Sequence, residues 1–212
     1  MTDFAALRET MVTRDIAARG IGDPLILAAF RAVPREEFIA ENLAAYAYDD
    51  GPLPIEAGQT ISQPYIVALM IAAAEIKPGD TVLEVGAGSG YAAAIMSRIA
   101  GEVIAIERQP ELARIARERL ARLGYGNVEI FEGDGTRGWP EQAPYDAILA
   151  AASGREVPGP LIEQLATGRR LVMPVGPTGG VQTLVRLTKG QDGRVRSEDL
   201  TSVRFVPLIA DS

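Results

Sequence analysis

A chain of 212 residues, 47% of them hydrophobic, suffices for one domain with a sizeable core and excludes a disordered polymer. The formal net charge of −7 argues against a nucleic-acid surface, no apolar run is long enough to span a bilayer, and the start carries no basic-then-apolar leader, so a cytoplasmic location is expected. With no Cys and no His there are no disulfides, thiol nucleophiles or Ser-His-Asp triads, and any enzyme here works with carboxylates, hydroxyls, amides and binding energy.

Residues 3 to 19 follow an amphipathic helical pattern with Phe4, Leu7 and Met11 on one side, and Gly20 is placed to stop it. Asp23-Pro24 is a cap followed by proline at the first helical position, opening a helix to about Ala32. Val33 to Phe38 starts another short helical turn. From 45 to 63 the helical period is lost: Ala45 to Ile55 is proline-rich, and Glu56 to Pro64 is a polar loop. Pro64 to Ala74 is helical again, with Ile66, Met70, Ile71 and Ala74 at helical spacing. A loop of this kind, running into a helix just before the first core strand, is placed to fold over a cofactor.

From Thr81 strands and helices alternate regularly. Strands are predicted at 81–86, 103–107, Val128–Phe131, Tyr145–Ala150 and Arg170–Val175. Helices are predicted at 90–99, 110–123 and around Pro160 to Leu165. The second of these carries Leu112, Ile115, Ala116, Leu120 and Leu123 on one face and ends at Gly124. The alternation predicts an α/β fold with a doubly wound, mostly parallel sheet and right-handed crossovers, capped by the N-terminal helices. Thr183 to Thr188 and Val203 to Val206 are strand-like, with a turn signal at Lys189 to Gly193, and predict an antiparallel edge. No repeat or linker divides the chain. It is read as one domain: a helical region with a loop over 1–80, a cofactor-binding core over 81–176 and antiparallel strands over 177–212.

The first core strand runs into Val82-Leu83-Glu84-Val85-Gly86-Ala87-Gly88-Ser89-Gly90. Gly86, Gly88 and Gly90 let the backbone turn sharply and approach a ligand, and N–H groups at the next helix start favour an anion. A lone G-x-G-x-G is a weak signal that also fits a tight strand-to-helix turn. It gains weight because the second strand ends in Glu107, an acid suited to ribose hydroxyls. Glu84 reads either as a contact for the cofactor's polar end or as a strand-end acid bonding nearby N–H groups. Asp134, in Gly133-Asp134-Gly135, either accepts from an adenine amino group or makes an Asx turn. Gly86, Glu107, Asp134 and the 150–153 segment all occupy carboxyl ends of strands and converge on one crevice.

The spacing Glu84-x-Gly86-x-Gly88-x-Gly90 departs from the dinucleotide fingerprint and resembles class I S-adenosylmethionine-dependent methyltransferases. More specific is Gly58-Gln59-Thr60-Ile61-Ser62-Gln63-Pro64-Tyr65-Ile66-Val67-Ala68. With Pro52-Leu53-Pro54-Ile55, Gly138-Trp139-Pro140, Pro174-Val175-Gly176 and Val203 to Leu208, it resembles the protein-L-isoaspartate O-methyltransferases along nearly the whole chain. The resemblance implies S-adenosyl-L-methionine as cofactor and isoaspartyl-containing peptides and proteins as partners, with no metal, nucleic acid or membrane. It implies methyl transfer to the α-carboxylate of L-isoaspartyl residues in damaged proteins, beginning repair through a succinimide. It places the catalytic serine at Ser62, which with Val206, Pro207 and Leu208 is expected to meet the substrate. Cofactor contacts are expected from Gln59, Thr60, Ile61, Glu84, Gly86, Ala87, Gly88, Gly90, Glu107, Arg108, Asp134 and Gly135. Ala87, Ser153 to Arg155, Leu165 to Arg170 and Ile209 depart from the usual pattern.

A carboxylate acceptor has a reference pKa of about 4 and is already ionised at neutral pH, so its methylation needs no general base. That suits a chain without His or Cys, and leaves alignment as the main contribution, worth roughly 7–11 kcal/mol in well-oriented reactions. The Ser62 hydroxyl reads either as the group that orients the acceptor or as a turn serine near the start of the Pro64 helix. Three further readings stay open from residues alone: a methyltransferase with another acceptor, a non-catalytic S-adenosylmethionine-binding protein, and a nicotinamide dehydrogenase disfavoured by the glycine spacing.

Overall fold

The computed structural model describes residues 2–211. Helix α1 (Phe4–Thr10) is capped by the Asp3 carboxylate, which accepts the Ala6 N–H at 3.0 Å. The helix widens into π turns over Met11–Ile16 and tightens to 3-10 geometry over Ala17–Arg19, where Gly20 ends it at φ 95°. The expected single apolar face is not what forms. α1 buries no residue and Leu7 is 38% exposed, whereas Met11, Val12, Asp15 and Ile16 are buried. Phe4 packs part-buried against the edge of the core, and full burial begins with the widened turns.

Helix α2 (Pro24–Ala32) starts as its cap requires, with Asp23 accepting the Leu25 and Ile26 N–H groups. Two 3-10 turns, Arg35–Phe38 and Glu41–Tyr46, lead into the proline-rich stretch. There a small antiparallel hairpin forms, β1 (Leu53–Pro54) with β2 (Thr60–Ile61), inside the segment expected to be loop. Helix α3 (Pro64–Ala74) then packs against the π turns.

The core follows as β3 (Thr81–Val85), α4 (Tyr91–Met96), β4 (Glu102–Glu107), α5 (Pro110–Arg122), β5 (Val128–Glu132), β6 (Tyr145–Ala150), α6 (Gly159–Gln164), β7 (Leu165–Val175), β8 (Gln182–Lys189) and β9 (Val195–Val203). Seven strands form one sheet in the order β5-β4-β3-β6-β7-β8-β9. Strands β3 to β7 run parallel, and β8 and β9 are antiparallel additions. Alternate strand residues serve opposite faces: Val82, Val103, Ala105, Ala147 and Leu149 join one apolar cluster, and Leu83, Val85, Ile104, Ile106 and Ile148 join the other. The chain winds outward from β3 to β5, then returns to the other side of β3 with β6. That reversal puts the topological switch point at the end of β3.

One expected strand is displaced. Of the expected Val203–Val206 strand only Val203 lies in the sheet; the pairing partner of β8 is β9, from Gln182↔Val203 to Lys189↔Val195. β9 is an exposed edge rich in charged and hydroxyl residues, so it carries little apolar alternation to read. Residues 204–211 leave the sheet and pass over the end of β6, where Ser153 N–H donates to Val206 C=O and Leu208 N–H donates to Ser153 C=O, both at 2.8 Å. No helix among the described residues is long and apolar enough to cross a membrane.

Candidate active site

At the switch point the glycine turn is held by its neighbour strand. The Gly86 and Ala87 N–H groups both donate to Ile106 C=O, at 2.8 and 3.1 Å. Gly86, Gly88 and Gly90 take φ of 89°, 53° and 86°, a region open to glycine and costly for other residues. Glu107 reaches back from the tip of β4: one carboxylate oxygen accepts the Gly88 N–H at 2.9 Å and the other the Gln109 N–H at 2.9 Å. Each carboxylate oxygen keeps a second lone pair, so the acid can shape the turn and still accept from a ligand.

Glu84 sits beneath this turn, 2% exposed, and its Oε2 has no hydrogen-bond partner. Burial pushes its carboxyl well above the usual range, and the Glu107 charge adds to the push. An orphaned buried acceptor on a cavity floor calls for a donor from outside the chain. The cavity above it is roofed by Gln59, Thr60, Ile61 and Ser62, with Val67 and Met70 of α3 behind them. Ala87, Arg108 and Gly135 line it as well, and Val206, Pro207 and Leu208 close its far side. Gly135 approaches so closely that a Cβ there would lie 2.4 Å from Val85 Cγ1.

A second cavity lies alongside, lined by Pro52, Gln63, Ile66, Val181 and residues 202–206. Thr60, Ser62, Ala151 and Val206 line both cavities. Ser62 is not the cap of α3: Gln63 holds that position without a side-chain bond, and the Tyr65 N–H is taken at 3.3 Å by the distant Asp50.

The sequence profile of the family described as Protein-L-isoaspartate(D-aspartate) O-methyltransferase matches residues 6–212. The chain belongs to that family. It is 60% identical over 210 residues to Protein-L-isoaspartate O-methyltransferase 1 of Rhodopseudomonas palustris (strain HaA2), covering 99% of this chain and 86% of that protein. It is 56% identical over 202 residues to Protein-L-isoaspartate O-methyltransferase 2 of Pelobacter propionicus, covering 95% and 90%. A solved protein-L-isoaspartate O-methyltransferase matches with TM-score 0.87 at 32% identity, over 94% of this chain and 65% of that one. A second, from Plasmodium falciparum in complex with S-adenosyl-L-homocysteine, matches with TM-score 0.82 at 27% identity, over 96% and 99%.

This family of methyltransferases uses S-adenosylmethionine, and the residues present fit that group: a buried acid with an unpartnered oxygen at Glu84, and at Glu107 a carboxylate with lone pairs to spare. Two residues expected among the cofactor contacts stand off the cavity. Gly90 turns toward α5, where a Cβ would lie 3.2 Å from Leu120. Asp134 spends its carboxylate on the chain: one oxygen accepts from Thr136 N–H and hydroxyl at 2.9 and 2.7 Å, the other from Asp211 N–H at 3.0 Å. Burial raises its pKa, but those hydrogen bonds outweigh burial and hold it below the usual value.

The departures from the family pattern also fall into place. Arg155 is exposed and lines neither cavity, and Ser153 bonds the Val206 carbonyl. Arg169 pairs with Asp80 and Asp146 at the opposite ends of the strands. Ala87 and Ile209 do line the glycine-loop cavity of this methyltransferase. Val67, Met70, Tyr91 and Ala92 also line the cavity and were not among the expected site residues, because no sequence signal separates a cavity wall from a core face.

Proposed function

We propose that this chain methylates the α-carboxylate of L-isoaspartyl residues in peptides and proteins, with Ser62 orienting that carboxylate. The observation that carries the reading is the shared wall: Thr60, Ser62, Ala151 and Val206 face both the glycine-loop cavity and its neighbour, so donor and acceptor meet at Ser62. S-adenosylmethionine, when bound, supplies a methyl group on a positively charged sulfur. Glu84 would hold its amino group, Glu107 its ribose hydroxyls, and the Gly86–Gly88 backbone its close approach. Gln59, Thr60 and Ile61 cover it from above.

The chain's own contribution to the chemistry is alignment and exclusion of water. An ionised carboxylate needs no base, and none of the side chains at the shared wall is one. The Ser62 hydroxyl donates to one carboxylate oxygen and leaves the other to attack. Residues 204–206 line the acceptor cavity, but much of the backbone of this extended segment is already used: Gln182 accepts the Phe205 N–H at 2.9 Å, and Ser153 engages Val206 and Leu208. The substrate backbone therefore finds few free partners there, and recognition rests on placing the carboxylate. An isoaspartyl linkage adds a main-chain methylene and displaces that carboxylate; misplacement by about 1 Å can cost on the order of 100-fold. In this reading the whole chain is one methyltransferase unit, with 81–176 holding the cofactor and the flanking regions building the acceptor side.

Matched isoaspartyl and aspartyl peptides test the assignment, with labile ester read as released methanol. Transfer to the isoaspartyl peptide at least about 100-fold faster is expected. Equal rates on both peptides, or none on either with cofactor bound, would sink it.

A further inference from the structure

Asp50 lines neither cavity, yet it grips the segment that carries Ser62. Its Oδ2 accepts from Gln63 Nε2 at 2.7 Å and from Arg19 Nη1 at 2.8 Å, and its Oδ1 accepts the Tyr65 N–H at 3.3 Å. Arg19 in turn lies 3.3 Å from the centre of the Tyr65 ring. The residues after Ser62 are thus held through a backbone N–H, a side-chain amide and an aromatic face.

The turn that presents Asp50 is itself braced from the core. Arg35 is fully buried, and its guanidinium donates to Ala47 C=O at 2.8 Å and to Gly51 C=O at 3.4 Å, on either side of Asp50. It also stacks 4.8 Å from the ring of Tyr91, a residue of the cofactor cavity wall. A buried cation spent on two loop carbonyls is an expensive way to secure a surface turn, since desolvation opposes its charge. The expense is intelligible if the turn must be held in one place.

We infer that Asp50 is a positioning residue for the methyl transfer, fixing the Ser62 hydroxyl at the junction of the two cavities. The inference rests on the reading of Ser62 as the group that orients the acceptor carboxylate. Asp50 grips the residues after Ser62, whereas the hairpin covering the cofactor is tied down separately through Glu56 and Arg119, so loss of Asp50 acts on turnover and leaves cofactor affinity in place. Asparagine at 50 keeps the volume but turns one oxygen into an N–H₂ facing donors, so at least one of the three contacts is lost.

A double-mutant cycle in the full chain tests this, with Asp50→Asn, Ser62→Ala and the pair, measured on an isoaspartyl peptide at saturating cofactor. Asp50→Asn is expected to lower kcat about 10- to 100-fold, the effect of a displacement of about 1 Å or less. S-adenosylhomocysteine affinity by calorimetry stays within about twofold. In the Ser62→Ala background the same change lowers kcat by less than about twofold more, because the group it positions is gone. A purely structural Asp50 would multiply the two losses, and that result overturns the proposal. Unchanged kcat in Asp50→Asn with a large loss in Ser62→Ala overturns the Asp50 role alone. Full activity in Ser62→Ala overturns both this role and the reading of Ser62. Arg19→Gln, a change at a half-exposed residue that removes one clamp donor, runs through the same cycle should Asp50→Asn fail to fold; a several-fold loss that vanishes without Ser62 is expected, and a loss that persists overturns the proposal.

Discussion

Glu84 and Glu107 sit on adjacent strands with opposite surroundings, and the difference sets their behaviour. Glu107 receives two backbone N–H groups; Glu84 is buried with an unpartnered oxygen. Glu84 therefore holds its proton to a higher pH in the folded protein than in the unfolded chain. Between those two pKa values the native state binds more protons than the unfolded one, so stability falls as pH rises through the window, by about 1.4 kcal/mol per pH unit. The penalty is complete above the folded pKa and absent below about pH 4. Glu84→Gln should thus raise the melting temperature of the ligand-free protein at pH 8, with the gain vanishing toward pH 4, while weakening S-adenosylhomocysteine binding. A melting difference that stays constant across pH would rule out Glu84 as the group responsible. Both acids were visible in the sequence as strand-end residues. Which of them is satisfied was not, because that depends on where Gly88 and Gln109 point their N–H groups.

The elements around the site divide between scaffold and roof. Strands β3, β4 and β6 bury both faces, and their spans follow directly from apolar runs, the first ending before Gly86 and the second at Glu107. The hairpin β1–β2 is different: two residues per strand cannot stabilise themselves, and what holds it down is a side chain from another element. Arg119 of α5 donates to Ser89 C=O in the glycine turn at 3.0 Å and pairs with Glu56 at the hairpin tip at 3.1 Å. Its side chain is 10% exposed, so the pair is shielded enough to matter. Arg119→Met should let the roof lift. The expected readout is an S-adenosylhomocysteine dissociation constant raised roughly 10-fold, in the range of one unsatisfied buried group, with peptide KM at saturating cofactor unchanged. An unaltered dissociation constant would mean that the hairpin stays down by packing alone. Nothing in the local pattern of α5 marks Arg119 apart from its other arginines, since only the packed fold shows which one faces the glycine turn.

Over the whole molecule, the two ends of the chain meet at the site: the N-terminal third supplies the roof, and 204–211 supplies the opposite wall. The last segment hangs on few contacts, chiefly Ser153, Asp134 and an Arg108–Asp211 pair at 3.1 Å. A chain ended after Phe205 keeps the seven-stranded sheet intact, because β9 finishes at Val203. It should melt within a few degrees of the full chain, a loss of about 1 kcal/mol. Its methyl transfer should fall by more than about 100-fold, as both cavities lose a common wall. Retained activity would show that Val206 to Leu208 border the cavities without shaping them.

What the amino-acid order determined alone are the features carried by neighbours along the chain. The Asp23-Pro24 cap, the α3 and β6 bounds, the glycine turn after β3 and the acid after β4 all depend on periodicity, backbone freedom and chemistry within a few residues. The family motif from Gly58 to Ala68 belongs here too, since it is a contiguous string. What the tertiary structure decided are contacts between residues far apart in the chain. Asp134 turned from the cavity to Thr136 and Asp211, Arg204 to Leu208 left the sheet to cross β6, and Asp50 reached Gln63 and Tyr65. Each of these is one hydrogen-bond pairing among several within reach, and only packing settles which pairing forms.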